Sequence, residues 1–124
     1  MFNLFKNKQK DQFDKDYYQF VDEFSQLVQQ SKKELIPNDN EDFLETVDRH
    51  VSEYYDLFKH IDDLELKIES NLKAQTTEQS VEKIQLLRQL DQAQTTLLDA
   101  INHLTQLKSA YLQGIQDGHN MKEE

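Results

Sequence analysis

The sequence predicts an all-α protein, an elongated three-helix antiparallel bundle with a long, coiled-coil-like helical hairpin. Its 124 residues include only two glycines and one proline, too few for the tight turns that a β-fold needs. Apolar residues recur at alternating spacings of three and four along three long stretches, which is the pattern of amphipathic helices. We therefore expect helices over about residues 11–36, 41–74 and 79–116.

The first predicted helix covers residues 11–36 and ends before the only proline. Pro37 lacks an amide hydrogen and disfavours helical geometry at Ile36, and Asn38, Asp39 and Asn40 follow as possible N-caps. The apolar residues of this helix step by four and three, so one face is apolar: Phe13, Tyr17, Phe20, Phe24 and Leu27.

The second predicted helix, 41–74, has the widest apolar face. A face of this width can contact two neighbours, so we expect this helix to lie in the middle of the bundle. Its two seam rows contain Val47, Tyr54, Ile61 and Ile68 in one and Phe43, Leu57 and Leu64 in the other, with Leu44, Val51, Phe58 and Leu72 beside them.

The third predicted helix, 79–116, has the longest seam, interrupted by Gln94 and Lys108. Ile68 and Leu87 are equivalent seam positions 19 residues apart, which is not a whole number of heptads, so we expect a turn rather than one continuous rod. Thr76 and Gln79 also have the spacing of a capping box. In the resulting antiparallel hairpin, the numbers of facing residues should add up to about 153.

The first helix is the shortest of the three, and this leads to a prediction about binding. If it folds back directly from Pro37, it reaches only the level of residues 61–65 and leaves 64–87 as an uncovered two-helix tip. An apolar face of this kind needs a partner. We expect a second copy of this chain in a homo-oligomer to cover it, with another helical protein or the N-terminal arm as alternatives. The predicted contact residues are Ile68, Leu72, Ile84 and Leu87.

Residues 1–10 and 117–124 are predicted to flank the helical domain as an N-terminal arm and a mobile C-terminal tail. The arm has three apolar residues, Phe2, Leu4 and Phe5, followed by three lysines. Such a segment can attach weakly to an anionic membrane surface, although the preferred interpretation is an arm that packs on the bundle or frays. Gly118 is a candidate C-cap of the third helix.

The charge of the chain narrows the classes of partner. The net charge is −10, and because the first ten residues carry three lysines and no acid, residues 11–124 carry −13. A body this acidic repels phosphate backbones, so nucleic-acid binding is not expected. An acidic mimic of nucleic acid stays open as an alternative function.

The chain has no cysteine and no long apolar run, and its start lacks the order of a signal peptide. We expect a cytoplasmic protein, with export by a route that needs no cleaved signal left open.

The sequence contains no pattern typical of a catalytic site, and no cofactor is expected. Asp56 with His60 and Asp99 with His103 have the four-residue spacing that lets two helical side chains share one metal ion. Acidic helices often contain such pairs by chance, so a metal-binding protein or metal-dependent enzyme is an alternative only. The preferred prediction is a non-catalytic protein–protein interaction module, such as an adaptor, a chaperone or an assembly subunit.

Overall fold

The computed structural model describes the backbone of residues 2–32 and 35–123, and side chains over 12–32 and 35–118. Within these ranges the chain forms three helices and no strand: α1 (Phe2–Ser31), α2 (Phe43–Asn71) and α3 (Thr77–Glu123). The predicted all-α, three-helix architecture is confirmed. α3 has 47 residues and is therefore about 70 Å long at ~1.5 Å per residue.

The ends of the helices differ from the prediction. α1 begins at Phe2 and ends at Ser31, where the Ser31 hydroxyl donates to the Val28 carbonyl oxygen at 2.6 Å. The helical backbone thus includes most of the predicted arm. α3 continues through Gly118, which lacks the positive φ of a C-cap, so that prediction was wrong. Separate behaviour of the arm and mobility of the tail stay predictions.

The pairing of α2 with α3 follows the predicted register. The Lys108 ammonium contacts the Asp48 carboxylate at 2.8 Å, the Gln94 amide donates to the Phe58 carbonyl oxygen at 3.3 Å, and Lys83 reaches the Leu72 carbonyl oxygen at 2.8 Å. The residue numbers of these pairs add up to between 152 and 156. The two helices therefore form the expected antiparallel hairpin.

Hydrogen bonds from side chains define the turn of the hairpin. The Thr76 hydroxyl accepts from the Gln79 amide at 3.1 Å, and the Gln79 side chain accepts from the Gln75 amide at 2.7 Å, so the predicted capping pair starts α3. The Lys83 ammonium donates to carbonyl oxygens in the last turn of α2 and at its C-cap, which have no partner within that helix.

The start of α2 lies two residues later than predicted. Asp42, rather than one of Asn38 to Asn40, is its N-cap, and the Asp42 carboxylate accepts from the Glu45 amide at 2.8 Å.

α1 lies antiparallel to α2 and closer to the hairpin turn than predicted. The end of α1 at Gln30 lies beside residues 53–60 of α2, whereas Glu23 and Leu27 lie beside residues 60–67. Further towards its start, Tyr17 lies near Glu82 of α3. Phe13 is 2 % exposed and belongs to one core cluster with residues of the hairpin: Leu57, Ile61, Leu64, Ile68, Leu72, Leu86, Leu90 and Leu97.

The segment between α1 and α2 explains this shift. Residues 35–38 are not helical. The segment 35–42, which precedes α2 in the sequence, lies alongside the first turns of that helix. The Arg49 guanidinium holds it by donating to the Ile36 carbonyl oxygen at 2.8 Å and to the Glu41 carboxylate at 2.9 and 3.0 Å. The same carboxylate accepts from the Asn38 amide and from the Thr46 hydroxyl. α1 is thus displaced along the hairpin by the length of this segment.

The bundle consequently has two unlike ends. Near the hairpin turn, α1 covers the seam between α2 and α3. Near the start of α2, which we call the base, α1 has ended, and of the described residues only the segment 35–42 accompanies the hairpin. The predicted two-helix tip is wrong, because the uncovered part of the hairpin lies at the base.

Candidate interaction surface

The predicted contact residues near the turn are not all accessible. Ile68 and Leu72 have no exposed area, and Leu87 packs against the core cluster. Only Ile84 is open to solvent, with 50 % of its surface exposed. Because α1 already covers this seam, the reason for predicting a partner here does not apply.

A different apolar surface is exposed at the base. The rings of Phe43 and Tyr111 lie 4.7 Å apart between their centres, so the start of α2 lies at the level of Tyr111 on α3. The helix α3 continues for 12 more residues, 112–123, which we call the C-terminal overhang. At ~1.5 Å per residue the overhang is about 18 Å long.

The overhang continues the seam that faces α2. Leu107, Tyr111 and Ile115 are four residues apart and lie along one side of α3, and Leu112 lies next to them. We call these four residues the C-terminal apolar face. Their exposed fractions lie between 37 % and 53 %, whereas Leu97, Ile101 and Leu104, one to three turns earlier on the same seam, are buried. The seam therefore loses its cover where α2 begins.

The backbone around the overhang is also free of contacts. A Cβ atom placed on Gly114 or Gly118 would have no atom within 4 Å apart from its chain neighbours and the backbone of its own helix. Glycine in the interior of a helix costs about 0.5–1 kcal/mol relative to alanine, and nothing in the described part of this chain packs closely enough on either glycine to offset it.

The stretch of α3 that carries the apolar face, residues 105–116, is almost uncharged, whereas the rest of the overhang contains Asp117, Lys122 and Glu123. Residues 105–116 contain one charged side chain, Lys108, which pairs with Asp48 of α2. Residues 41–73 are acidic, with ten acids and four bases, and four of these acids lie at the base: Glu41, Asp42, Glu45 and Asp48. The apolar face thus differs from the rest of the surface in charge as well as in polarity.

Two acidic residues outside this face have perturbed pKa values. Burial, together with a hydrogen bond to Asp91 and the charges of Asp91, Asp62 and Glu69, raises the pKa of Glu65 to about 7. The hydrogen bond from Arg49, followed by that from the Asn38 amide, lowers the pKa of Glu41 to about 2. Glu41 therefore stays charged and keeps the segment 35–42 attached to α2 at neutral pH.

The four candidate metal ligands do not converge. Asp56 and His60 line a groove between α1 and α2, and Asp99 and His103 are exposed on α3. Over the part of the chain whose side chains are described, no three His, Asp or Glu residues come close enough together to hold a metal ion.

The predicted membrane contacts, Phe2, Leu4 and Phe5, lie outside the described side chains. Over the described residues, no helix combines the length and the apolar character needed to cross a bilayer.

The sequence contained a signal for the C-terminal apolar face that the prediction did not use. Tyr111 and Ile115 belong to the predicted seam, and the register of about 153 places α2 opposite α3 only as far as residue 112 or so. The last turns of the seam therefore had no partner even in the prediction. The prediction instead located the uncovered seam at the tip, because it placed α1 too far from the hairpin turn.

Searches against family models, curated proteins and solved structures found no match to this chain.

Proposed function

We propose that this protein is a non-catalytic interaction module that binds another protein through the C-terminal apolar face. The observation that carries the proposal is a change in burial along the seam of α3, whose apolar side chains become exposed where α2 no longer covers them. The apolar residues of α3 that face α2 are buried up to Leu104, Lys108 follows in the same row, and Tyr111 and Ile115 are then half-exposed. An amphipathic helix that extends past its own bundle offers an apolar stripe to a partner helix or groove.

The size of the face agrees with a small, specific contact. Tyr111, Leu112 and Ile115 are 43 %, 44 % and 53 % exposed, and lie together on two successive turns. Tyr at the centre of an apolar patch is a common anchor in protein interfaces. The scarcity of charge around these residues lowers the cost of removing the face from water.

Capture experiments with the intact protein test this proposal. Wild-type protein, the double variant Leu112→Glu/Ile115→Glu and the control Gln106→Glu/Ser109→Glu are immobilised and exposed to a lysate of the source cells. The control adds the same two charges on the side of α3 that faces away from α2, where Gln106 and Ser109 are exposed.

We expect wild type and control to retain a common set of proteins that the apolar-face variant loses. Circular dichroism should show equal helicity for all three, because Leu112 and Ile115 are already half-exposed. Retention of the same proteins by all three would contradict the proposed function.

A further inference from the structure

We infer that the groove between the end of α1 and the middle of α2 is a second interaction site, which binds a basic amphipathic helix of another protein. We call it the α1–α2 groove. It is separate from the C-terminal apolar face, which lies beyond the start of α2, so the two sites can act independently. The length of the groove, its apolar floor and its charge all favour this kind of partner.

The groove has the length of a short helix. Gln30 and His60 border two adjoining hollows of about 480 and 260 Å³, so the hollows form one open channel. On α2 the channel runs from Glu53 to Lys67, which is about 21 Å at ~1.5 Å per residue. Its two walls are side chains three or four residues apart on antiparallel helices. A further helix can pack its own ridge of side chains into such a groove.

Three leucines form the floor of the groove. Leu57 and Leu64 of α2 belong to the core cluster, and Leu27 of α1 is half-buried and packs against it. The core already holds these side chains in place, so a partner helix meets a floor that needs little ordering on binding. An apolar row on that helix, with anchors three and four residues apart, matches the floor. The leucines leave little area exposed, so the contact depends on charge for most of its strength.

Charge selects a basic partner. The border of the groove carries four acids and one base: Glu23, Glu53, Asp56, Asp63 and Lys67. Glu53 pairs with Arg49 at 3.1 Å, whereas the ion pairs among the described side chains do not include Glu23, Asp56 or Asp63. Glu23 lies on the α1 side and the two aspartates on the α2 side. A helix between them is therefore stabilised by lysines or arginines on both sides of its apolar row.

The contact should be weak and sensitive to salt. Exposed ion pairs contribute little each, and salt screens them beyond a Debye length of ~8 Å at physiological ionic strength. We therefore expect micromolar binding at low salt that weakens steadily as salt is added.

Fluorescence anisotropy with a synthetic probe and the full chain tests the inference. The probe is a labelled helical peptide of about 15 residues, the length of the groove, with leucines in one row and lysines on both sides of it. A second peptide has glutamates in place of the lysines and should not bind. Equal binding of the two peptides would overturn the inference, because charge would then play no part.

Two double variants locate the binding site. Asp56→Asn/Asp63→Asn removes two acids from the groove, and the control Glu82→Gln/Asp99→Asn removes the same charge from α3, outside it. All four side chains are exposed, so both variants should fold as wild type does. We expect the groove variant to bind the lysine peptide at least about fivefold more weakly than wild type, and the control to stay within about twofold. Equal weakening in both variants would show attraction to the overall charge and overturn the inference.

A peptide of residues 1–12 tests this chain itself as the occupant, since these residues include three lysines and three apolar side chains near the start. We expect it to bind more weakly than the designed helix. Binding that is as tight, and that Asp56→Asn/Asp63→Asn weakens, would assign the groove to a second copy and overturn the inference.

The two proposals fail in different ways. Leu112→Glu/Ile115→Glu should lose captured proteins and still bind the lysine peptide as well as wild type does. If this variant loses the peptide while Asp56→Asn/Asp63→Asn keeps it, the peptide binds at the C-terminal apolar face and only the groove inference is wrong. Unchanged capture combined with peptide binding that depends on Asp56 and Asp63 would contradict the proposed function and support the groove.

Discussion

At the residue scale, Glu65 links the stability of the fold to pH. It is half-buried, lies across the hairpin from Asp91, and has Asp62 and Glu69 on its own helix. A carboxyl group with this many acidic neighbours keeps its proton to a higher pH than it would in an unfolded chain. Its folded-state pKa of about 7 lies above the ordinary value of 4.5.

The raised pKa sets the sign of a pH dependence. Between pH 4.5 and about 7 the native state holds a proton that the unfolded state has released, so the free energy of unfolding falls as pH rises through this window. Glu65→Gln keeps the shape of the protonated acid and removes this contribution. We expect the variant to match wild type near the acidic end of the window and to be more stable than wild type above it.

Urea unfolding at several pH values measures this difference. Glu82→Gln is the control, since it removes one negative charge from an exposed position on α3. Parallel stability profiles for wild type and Glu65→Gln would show that Glu65 is charged throughout and that the account of this carboxyl is wrong.

Several other residues show how far a sequence can predict side-chain roles. Gln94 and Lys108 interrupt the apolar seam, and each bonds across the hairpin to the partner that the register places near it, Phe58 and Asp48. Thr76 and Gln79 cap α3 as their spacing indicates. These roles can be predicted because they follow from the spacing of residues along one helix or from the register of two regular helices. The Arg49 bonds to Ile36 and Glu41 depend on the path of an irregular segment, which no periodicity encodes.

At the element scale, the position of α1 is the part of the fold that the sequence did not predict. The prediction assumed a turn at Pro37, but α1 ends at Ser31 and residues 35–42 run along α2. The displacement brings α1 over Ile68, Leu72 and Leu86. Burying one such side chain contributes about 1.5–3 kcal/mol, so covering three of them outweighs leaving Leu35 and Ile36 largely exposed in the connecting segment.

Phe13 gives a mutational test of this placement. Its side chain is 2 % exposed and belongs to the core cluster with Leu72 and Leu86, so Phe13→Ala should lower the free energy of unfolding by about 3–5 kcal/mol. Tyr18 on the same helix is 68 % exposed, and Tyr18→Ala should cost less than about 1 kcal/mol.

Chemical denaturation of both variants measures the two costs. A small cost at Phe13, similar to that at Tyr18, would mean that the first half of α1 does not pack on the hairpin. In that case the seam near the turn would be open, and Ile68 and Leu72 would again be candidate contact residues.

At the scale of the whole molecule, the number of packed helices falls from one end to the other. Three helices surround the core near the turn, two form the base, and α3 alone forms the overhang. Local stability should follow this gradient, because backbone hydrogen bonds open more readily where fewer apolar contacts hold them. The C-terminal apolar face thus lies on the least supported part of the bundle.

Amide hydrogen exchange along α3, measured by mass spectrometry on the wild-type protein, tests the central claim most directly. We predict slow exchange over residues 84–104, where α2 covers the seam, and rapid exchange over residues 112–118, which lie beyond the start of α2. Rapid exchange over 84–90 would contradict the packing of α1 on the seam near the turn. Slow exchange over 112–118 would contradict an exposed C-terminal apolar face.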